Sequence, residues 1–279
     1  MQVIEIERIS RYFCQGESVN SIAIDVVHHD KYQAWYDTQT PNVCQQLASQ
    51  YFKSDADSLA IIVDGSGGML KICVSVSKEE DFWQAGAWVK QLPEAVYHFN
   101  LIPEETQMRY ALAWGLGAYQ FARYKKPKPM QAKLLLPHSV DYQRLESMLT
   151  SIYWVRDLIN TPAQDMMPTD IVAEAQKLAK LHKAKCKVLA GDKLLKANYP
   201  AVHAVGRGSQ VEPHLVDLCW GDTKHPALTL VGKGVCFDTG GLDIKPAAGM
   251  LQMKKDMGGA AHALALAHLV MAHQLPVRL

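Results

Sequence analysis

The sequence predicts an α/β protein of two consecutive domains, the second with a mostly parallel, mixed sheet flanked by helices. Its 279 residues are 48% apolar, enough to form one large or two ordinary domain cores. Strand-like runs alternate with helical stretches along the chain. Residues 124–129, a basic segment with two prolines, cannot continue a helix and mark a linker. We expect a first domain over residues 1–132, a connecting strand and helix over 133–160, and a second domain over 161–279.

The first domain contains four runs of β-forming residues. These runs are residues 3–6, 21–27, 59–63 and 70–76. Residues 64–68, between the last two, predict a hairpin turn, with a phosphate-binding loop as the alternative. Helices are predicted over residues 82–90 and 108–124. Gly115 and Gly117 in the second helix favour close helix packing over a cofactor loop.

Beyond the linker, strand and helix signals continue to alternate. Residues 133–137 predict a strand, and residues 140–159 predict a helix that bridges the two domains. The second domain then combines one long helix, from residue 168 to about residue 181, with several strands. These strands are predicted over residues 186–189, 201–205, 215–220 and 227–231. Such alternation is typical of a parallel sheet whose ligand site lies at the carboxyl ends of the strands.

Composition argues against several classes of function. A formal net charge of +1 gives no electrostatic reason to bind nucleic acid or an anionic membrane surface. The sequence shows neither a signal-peptide pattern nor an apolar span long enough to cross a bilayer, so we expect a cytoplasmic protein. The six cysteines are scattered without CxxC pairs, which favours reduced thiols over disulfides or zinc knuckles.

Residues 230–257 carry the strongest chemical signal. Lys233, Asp238, Lys245 and Asp256 are interspersed among glycines, whose missing side chains let backbone and ligand approach closely. The patterns GxGxxG and GxxxxGK[ST] are both missing here, although a glycine-rich phosphate-binding enzyme stays open as an alternative. Lys233 and Asp238 lie in an apolar context, and buried charges need a charged partner or a metal ion.

The run VGKGVCFDTGGLDIKPAAGM, followed by MKKDMGGAA, resembles the active-site signature of the leucyl aminopeptidase family, peptidase M17. Members of this family are cytosolic exopeptidases with two metal ions. The spacing agrees, with Asp238 five residues after Lys233, Lys245 seven further on and Asp256 eleven beyond that. WVRDLINTP and AVGRGS, upstream, resemble further parts of the family pattern. The resemblance, strongest from about residue 110 onward, implies an N-terminal domain of the macro-domain type before the catalytic domain.

The resemblance also implies a role for each of these residues. Asp238 would bridge two divalent ions, Zn²⁺ or Mn²⁺, and Asp256 would bind the tighter one. Lys233 would coordinate through a neutral amine, which requires a strongly lowered pKa. Lys245 would stay charged and hydrogen-bond the scissile carbonyl oxygen as a metal-bound hydroxide attacks. Met253 would line the pocket for the first side chain of a peptide substrate, with a core methionine as the alternative.

The family also carries a downstream cluster, Asn-Thr-Asp-Ala-Glu-Gly-Arg, that this sequence lacks. In the family, that cluster supplies the remaining metal ligands and an arginine that holds bicarbonate. We therefore expect these residues to be the first part of a longer aminopeptidase with a leucine-type preference, forming a homo-hexamer at full length. The fragment alone is expected to bind metal weakly and to be inactive. The alternative function is a non-catalytic binding or regulatory module that retains the fold.

Overall fold

The computed structural model describes residues 9–16, 20–54, 57–78 and 81–279, so the strand predicted over residues 3–6 lies outside the described residues. The chain forms two compact units. The first contains the described residues up to Gln120 together with Pro127–Leu149, and the second contains Phe121–Lys126 and Thr150–Leu279. Helices and strands are mixed in both units, so the predicted α/β class is confirmed. The domain limits at residues 132 and 160 stay a prediction.

The first unit is built on a six-stranded sheet with the strand order β1-β6-β5-β2-β4-β3. The strands are β1 Phe13–Cys14, β2 Ile22–His28, β3 Leu59–Val63, β4 Met69–Val76, β5 Val96–Asn100 and β6 Lys133–Leu135. β3 is antiparallel to β4, and the other neighbouring strands run parallel. β2 and β4 are both interior strands, and the last five residues of each are buried without a break, as expected for strands covered on both faces.

Residues 64–68 form the hairpin turn between β3 and β4, as the sequence predicts. The Asp64 N–H donates to the Gly68 carbonyl at 2.8 Å. Asp64 Oδ1 accepts hydrogen bonds from the N–H groups of Ser66, at 2.8 Å, and Gly68, at 2.9 Å. The turn therefore uses its own carboxylate to satisfy the backbone N–H groups that a bound phosphate would need.

Helices cover both faces of this sheet. α1 Tyr32–Tyr36 and α2 Pro41–Ser49 lie on one face, where Val43 and Leu47 of α2 join the buried cluster. α3 Ala85–Gln91 and α4 Glu104–Ala118 lie on the other face. A Cβ on Gly117 would come within 1.9 Å of the Gly86 carbonyl oxygen, so the two helices touch backbone to backbone. The interpretation of these glycines as helix-packing residues is confirmed.

The helix predicted over residues 108–124 ends earlier, at Ala118. Tyr119 adopts an extended ψ of 131°, and the Gln120 side chain makes two 2.7 Å hydrogen bonds to the Lys128 backbone. Residues 124–126 of the predicted linker belong to the second unit, and residues 127–129 belong to the first. In the second unit, Arg123 lies 3.8 Å from the Asp165 carboxylate, to which the Tyr124 hydroxyl also donates a hydrogen bond. The start of the linker is thus anchored by side chains that the sequence alone does not pair.

The second unit is mainly helical. Its elements are α5 Tyr142–Asn160, which begins in the first unit, α6 Pro168–His182, β7 Lys185–Ala190, α7 Asp192–Lys196, α8 Pro200–Gly206, β8 His214–Cys219, α9 Ala247–Met250 and α10 Gly258–Ala272. A 3-10 turn, Met253–Met257, leads directly into α10. Trp154, Leu158, Leu178 and Met271 belong to the buried cluster that joins α5, α6 and α10.

Two of the strands predicted in the second unit are not found as predicted: one segment is helical, and the other forms a single bridge. Residues 201–205 are helical because Pro200 occupies the first position of α8, where its missing N–H costs nothing. In residues 227–231 only Ala227 forms a bridge, parallel to Arg278. The ladder within the described part of this unit is the antiparallel pair of β7 and β8. The mostly parallel sheet expected for the second domain is therefore found in the first unit.

Candidate functional site

The candidate site is built where the segment after Leu230 crosses the start of α10. A Cβ on Gly232 would lie 2.5 Å from the Gly259 carbonyl oxygen and 2.6 Å from the Ala260 Cα. Likewise, a Cβ on Gly259 would lie 2.8 Å from the Lys233 nitrogen. The Ala260 N–H donates to the Lys233 carbonyl at 2.8 Å. Two glycines thus allow two backbones to meet, which fixes Lys233 beside the turn that precedes α10.

Lys233 and Asp256 form the first ion pair of the site. Lys233 Nζ lies 2.7 Å from Asp256 Oδ2, and the Asp256 side chain is only 15% exposed. Asp256 Oδ2 is buried, and among the described residues its close polar contact is this ion pair. The close Asp256 carboxylate raises the pKa of Lys233, and Asp238 adds a smaller effect in the same direction. Buried Met257, next in the chain, anchors the turn that carries Asp256.

Asp238 and Lys245 form the second ion pair, at 2.6 Å between Oδ2 and Nζ. The loop between them is closed by the Lys245 N–H, which donates to the Thr239 carbonyl at 2.9 Å. Gly240 donates its N–H to Asp238 Oδ1 at 2.8 Å and has a φ of +91°, which a residue with a side chain rarely adopts. The hydrogen bond from Lys245, helped by that from Gly240, lowers the pKa of Asp238.

Met253 connects the second pair to the turn that carries Asp256. Its Sδ atom lies 3.3 Å from Lys245 Nζ, on the same turn as Asp256. Lys254, the next residue, donates from Nζ to the Asn160 carbonyl at 3.1 Å and so ties this turn to the end of α5. The five residues that the sequence singles out thus lie on one loop-and-turn cluster. Lys254 was missed because nothing in the sequence distinguishes it from its neighbour Lys255.

The site is more open than the sequence suggests. The side chain of Lys233 is 57% exposed and that of Asp238 is 35% exposed, so the expectation that both charges are buried is wrong. The reason is that the apolar residues around them face solvent, with Val231 91% exposed and Leu242 fully exposed. An exposed amine beside a carboxylate stays protonated, and the pKa of Lys233 is raised, whereas direct coordination needs it lowered.

The donor set suits a hard divalent cation but is incomplete. Asp238 and Asp256 supply carboxylate oxygens, and Asp256 Oδ2 is a buried acceptor. Each carboxylate faces one ammonium group, so the cluster carries no surplus negative charge. In the described part of the chain, no three His, Cys, Asp or Glu side chains come together as potential metal ligands. The residues present therefore fit one part of a metal site.

Comparison with known proteins identifies the family of this chain. The description "Cytosol aminopeptidase family, catalytic domain" matches residues 153–279, and "M17 aminopeptidase, N-terminal domain" matches residues 22–137. Both descriptions are of aminopeptidases, which are hydrolases. The chain belongs to the M17 aminopeptidase family, whose members depend on metal ions, and it carries the N-terminal domain and part of the catalytic domain.

Individual relatives point the same way. The chain is 30% identical over 251 residues to a probable cytosol aminopeptidase of Leifsonia xyli subsp. xyli, covering 84% of this chain and 51% of that protein. The crystal structure of Coxiella burnetii cytosol aminopeptidase is 43% identical, with a TM-score of 0.89, over 95% of this chain and 58% of that one. The bottromycin maturation enzyme BotP in complex with Mn, at 24% identity and a TM-score of 0.74, shares the fold.

The chain spans between about a third and a little over half of the length of these relatives. Among the described residues, no helix combines the length and the apolar composition needed to cross a bilayer.

Proposed function

We propose that this chain is part of a metal-dependent aminopeptidase that removes N-terminal residues, with a leucine-type preference, from peptides in the cytoplasm. The observation that carries the proposal is the cluster in which Asp238 and Asp256 each pair with a lysine across glycine-permitted backbone contacts. A site that bound phosphate through backbone N–H groups would leave those groups free, whereas the Gly240 N–H is bonded to Asp238. This hydrogen bond supports side-chain carboxylates, rather than backbone N–H groups, as the functional groups of this loop.

Asp238, Asp256 and Lys233 are the residues that would hold divalent ions, Zn²⁺ or Mn²⁺, in a two-metal site. Bound ions of this kind polarise a carbonyl group and lower the pKa of water. Lys233 carries a proton in the ion pair with Asp256, so that proton must leave before the amine can act as a ligand. Metal affinity should therefore rise with pH. A bicarbonate ion as the proton acceptor would need groups beyond the residues described here.

Lys245 and Met253 would act on the peptide. The Lys245 ammonium, 2.6 Å from Asp238 and 30% exposed on its side chain, can turn from that carboxylate toward the carbonyl oxygen of a bound peptide. A positive charge placed there stabilises the negative charge that develops on the oxygen. Met253 lies within 3.3 Å of the same ammonium, which puts an adaptable apolar side chain where the first residue of the peptide would lie.

The chain by itself should bind metal weakly and hydrolyse peptides negligibly. Two carboxylates that are already neutralised by lysines offer a divalent ion few ligands, and Zn²⁺ sites usually need at least three protein ligands. The remaining ligands would come from the part of the relatives that the chain does not span. A protein with the complete catalytic domain would assemble into a homo-hexamer.

The test is a fusion of this chain to the part of the Coxiella burnetii enzyme that follows the position equivalent to Leu279. Hydrolysis of L-leucinamide with added Mn²⁺ or Zn²⁺ should be near background for the chain alone and clear for the fusion. Asp238→Ala in the fusion should lower the rate by at least about a hundredfold, because it removes a metal ligand.

Asp243→Ala is the matched control, since Asp243 is an exposed carboxylate on the same loop and makes no ion pair with any described residue. It should keep activity within about twofold of the unchanged fusion. A folded fusion without metal-dependent hydrolysis, or equal losses for the two aspartate variants, would contradict the proposal and favour a non-catalytic module.

A further inference from the structure

In the described part of the chain, the outer edge of β3 is covered by side chains. β3 is the last strand of the six-stranded sheet there, and β4 pairs with its inner edge. The Ser75 N–H donates to the Ser58 carbonyl at 3.0 Å, so residue 58 directs its backbone groups toward β4. Because this direction alternates along a strand, Leu59, Ile61 and Val63 direct their backbone groups outward.

Gln46 of α2 and Gln50, directly after α2, bind two of these three residues. Gln46 accepts from the Val63 N–H through Oε1 and donates from Nε2 to the Val63 carbonyl, both at 2.9 Å. Gln50 binds Ile61 in the same way, at 3.0 Å to the N–H and 2.9 Å to the carbonyl. Each side-chain amide therefore makes the two hydrogen bonds that a residue of an added strand would make.

The spacing of the two glutamines matches the spacing of the strand. Residues four apart on an α-helix lie about 6 Å apart along its axis, and alternate residues of a strand lie about 6.4–6.8 Å apart. Buried Val43 and Leu47 hold α2 against the sheet. Asn42 Oδ1 accepts a further hydrogen bond from Gln46 Nε2, at 3.2 Å, which fixes the direction of this amide. Packing of the helix thus positions both amides along the strand edge.

The strand beneath this cover has the composition of an edge that pairs readily. Residues 59–63, LAIIV, contain neither a charged residue nor a proline, which are the usual means of keeping an edge strand from pairing. The Val63 side chain is 37% exposed, and Ile61 is half-buried. An uncharged, β-branched segment of this length associates with its own kind when its backbone groups are free. The glutamines therefore provide the protection that the strand itself lacks.

Two copies of β3 are complementary to each other. In an antiparallel pair centred on Ile61, this residue faces its own counterpart and exchanges two hydrogen bonds with it, while Leu59 faces Val63. The next position at each end brings Ser58 opposite Asp64. Each pair in this register is apolar or combines a hydroxyl with a carboxylate, so like charges do not oppose each other.

We propose that Gln46 and Gln50 close the β3 edge against strand addition, and that the surface they cover fits β3 of a second copy of this chain. With the cover in place, the outward N–H and carbonyl groups of Ile61 and Val63 are satisfied within one chain. Without the cover, the second copy supplies the same hydrogen bonds. Neither state of this edge involves the metal site or peptide hydrolysis.

Gln46→Ala and Gln50→Ala, made singly in the 279-residue chain at low concentration, test the cover. Gln46→Ala should speed amide exchange at Val63 at least about tenfold and leave Ile61 within about threefold, because it frees one N–H only. Gln50→Ala should have the opposite pattern. Gln45→Ala is the matched control, since exposed Gln45 lies on the same helix and makes no hydrogen bond with any described residue. It should leave both exchange rates within about twofold.

The double variant Gln46→Ala/Gln50→Ala tests the partner. In sedimentation equilibrium at rising concentration, its mean mass should rise up to about twofold above that of the unchanged chain and of Gln45→Ala, as mass action requires of a pair. Exchange at Ile61 should slow again as pairs form. Adding Ile61→Lys brings two ammonium groups opposite each other and should abolish the extra association. If that variant does not fold, Val63→Lys at the more exposed end of the strand should have the same effect.

Three results would overturn the proposal. Unchanged exchange at Ile61 and Val63 in the two single variants would show that the glutamines do not cover the edge. A double variant with fast exchange at both residues, but with the mass of the unchanged chain at every concentration, would show that the edge does not fit a second copy. Extra association that survives a lysine in β3 would place the contact on another surface.

Discussion

Gly232→Ala tests whether the contact between two backbones holds the candidate site together. The added Cβ would lie 2.5, 2.6 and 2.7 Å from three backbone atoms of Gly259 and Ala260, distances that real Cβ atoms essentially never show. Backbone atoms cannot rotate away as a side chain can, so one segment must move. Overpacking of this kind typically costs about 1–3 kcal/mol.

Hydrogen exchange of the Ala260 amide measures this cost, because that amide donates to the Lys233 carbonyl across the same contact. A loss of about 1–3 kcal/mol should speed amide exchange at Ala260 by roughly 5- to 150-fold. Gly234→Ala is the matched control, because its Cβ would meet only the Ala260 Cβ, at an ordinary 3.4 Å. That variant should change the exchange rate about twofold or less. Equal effects of the two substitutions would refute the account of how Lys233 is positioned.

Three further predictions concern titratable groups in the metal-free chain. Lys245→Met removes the hydrogen bond that lowers the pKa of Asp238, so the carboxyl titration followed by ¹³C NMR should move to higher pH; an unchanged midpoint would contradict the ion pair. Burial lowers the pKa of the His268 imidazole to about 4. As pH falls from about 6.5 to 4, the imidazole is protonated in the unfolded state before it is protonated in the folded state, so the folded state loses stability. Urea unfolding should show the unchanged chain losing about 2 kcal/mol more than His268→Gln between pH 7 and pH 5, and parallel losses would count against a buried neutral imidazole. Burial raises the pKa of Cys73 to about 12, so a thiol reagent followed by mass spectrometry should modify exposed Cys219 and spare Cys73 in the folded chain; the reverse order would contradict the packing of β4.

Local patterns were enough to predict most of the first unit. β2, β3 and β4 each carry a run of β-branched residues, and the turn over residues 64–68 has the aspartate and glycines that a hairpin needs. β1, of only two residues, gives no periodic signal. Its pairing with β6 depends on residues more than a hundred positions away, which sequence reasoning does not reach.

The two strand predictions that failed in the second unit have a common cause. Residues 201–205 form an apolar run that suits a strand and a helix equally, and Pro200 at the helix start decides between them. Residues 227–231 have strand-like composition, yet a strand needs a neighbour, and only Ala227 has one in the described chain. Secondary structure that depends on a distant partner cannot be fixed from local sequence.

The candidate site, too, could be predicted only in part. The grouping of Lys233, Asp238, Lys245 and Asp256 could be predicted, because their spacing among glycines resembles a known family. The pairing of each lysine with a particular carboxylate could not be predicted, since it depends on how residues 231–245 fold against α10. The solvent exposure of the Lys233 and Asp238 side chains could not be predicted either, because it depends on which residues cover the neighbouring apolar side chains.

Binding of Mn²⁺ to the 279-residue chain, followed by paramagnetic broadening of its NMR signals, tests the central claim most directly. The method detects weak binding, as expected of two carboxylates that are each paired with a lysine. If Asp238 and Asp256 together hold the ion, amide signals around both residues should broaden first, and Asp256→Asn should remove the effect at both. Broadening that begins at other acidic residues, or that persists unchanged in Asp256→Asn, would contradict the claim.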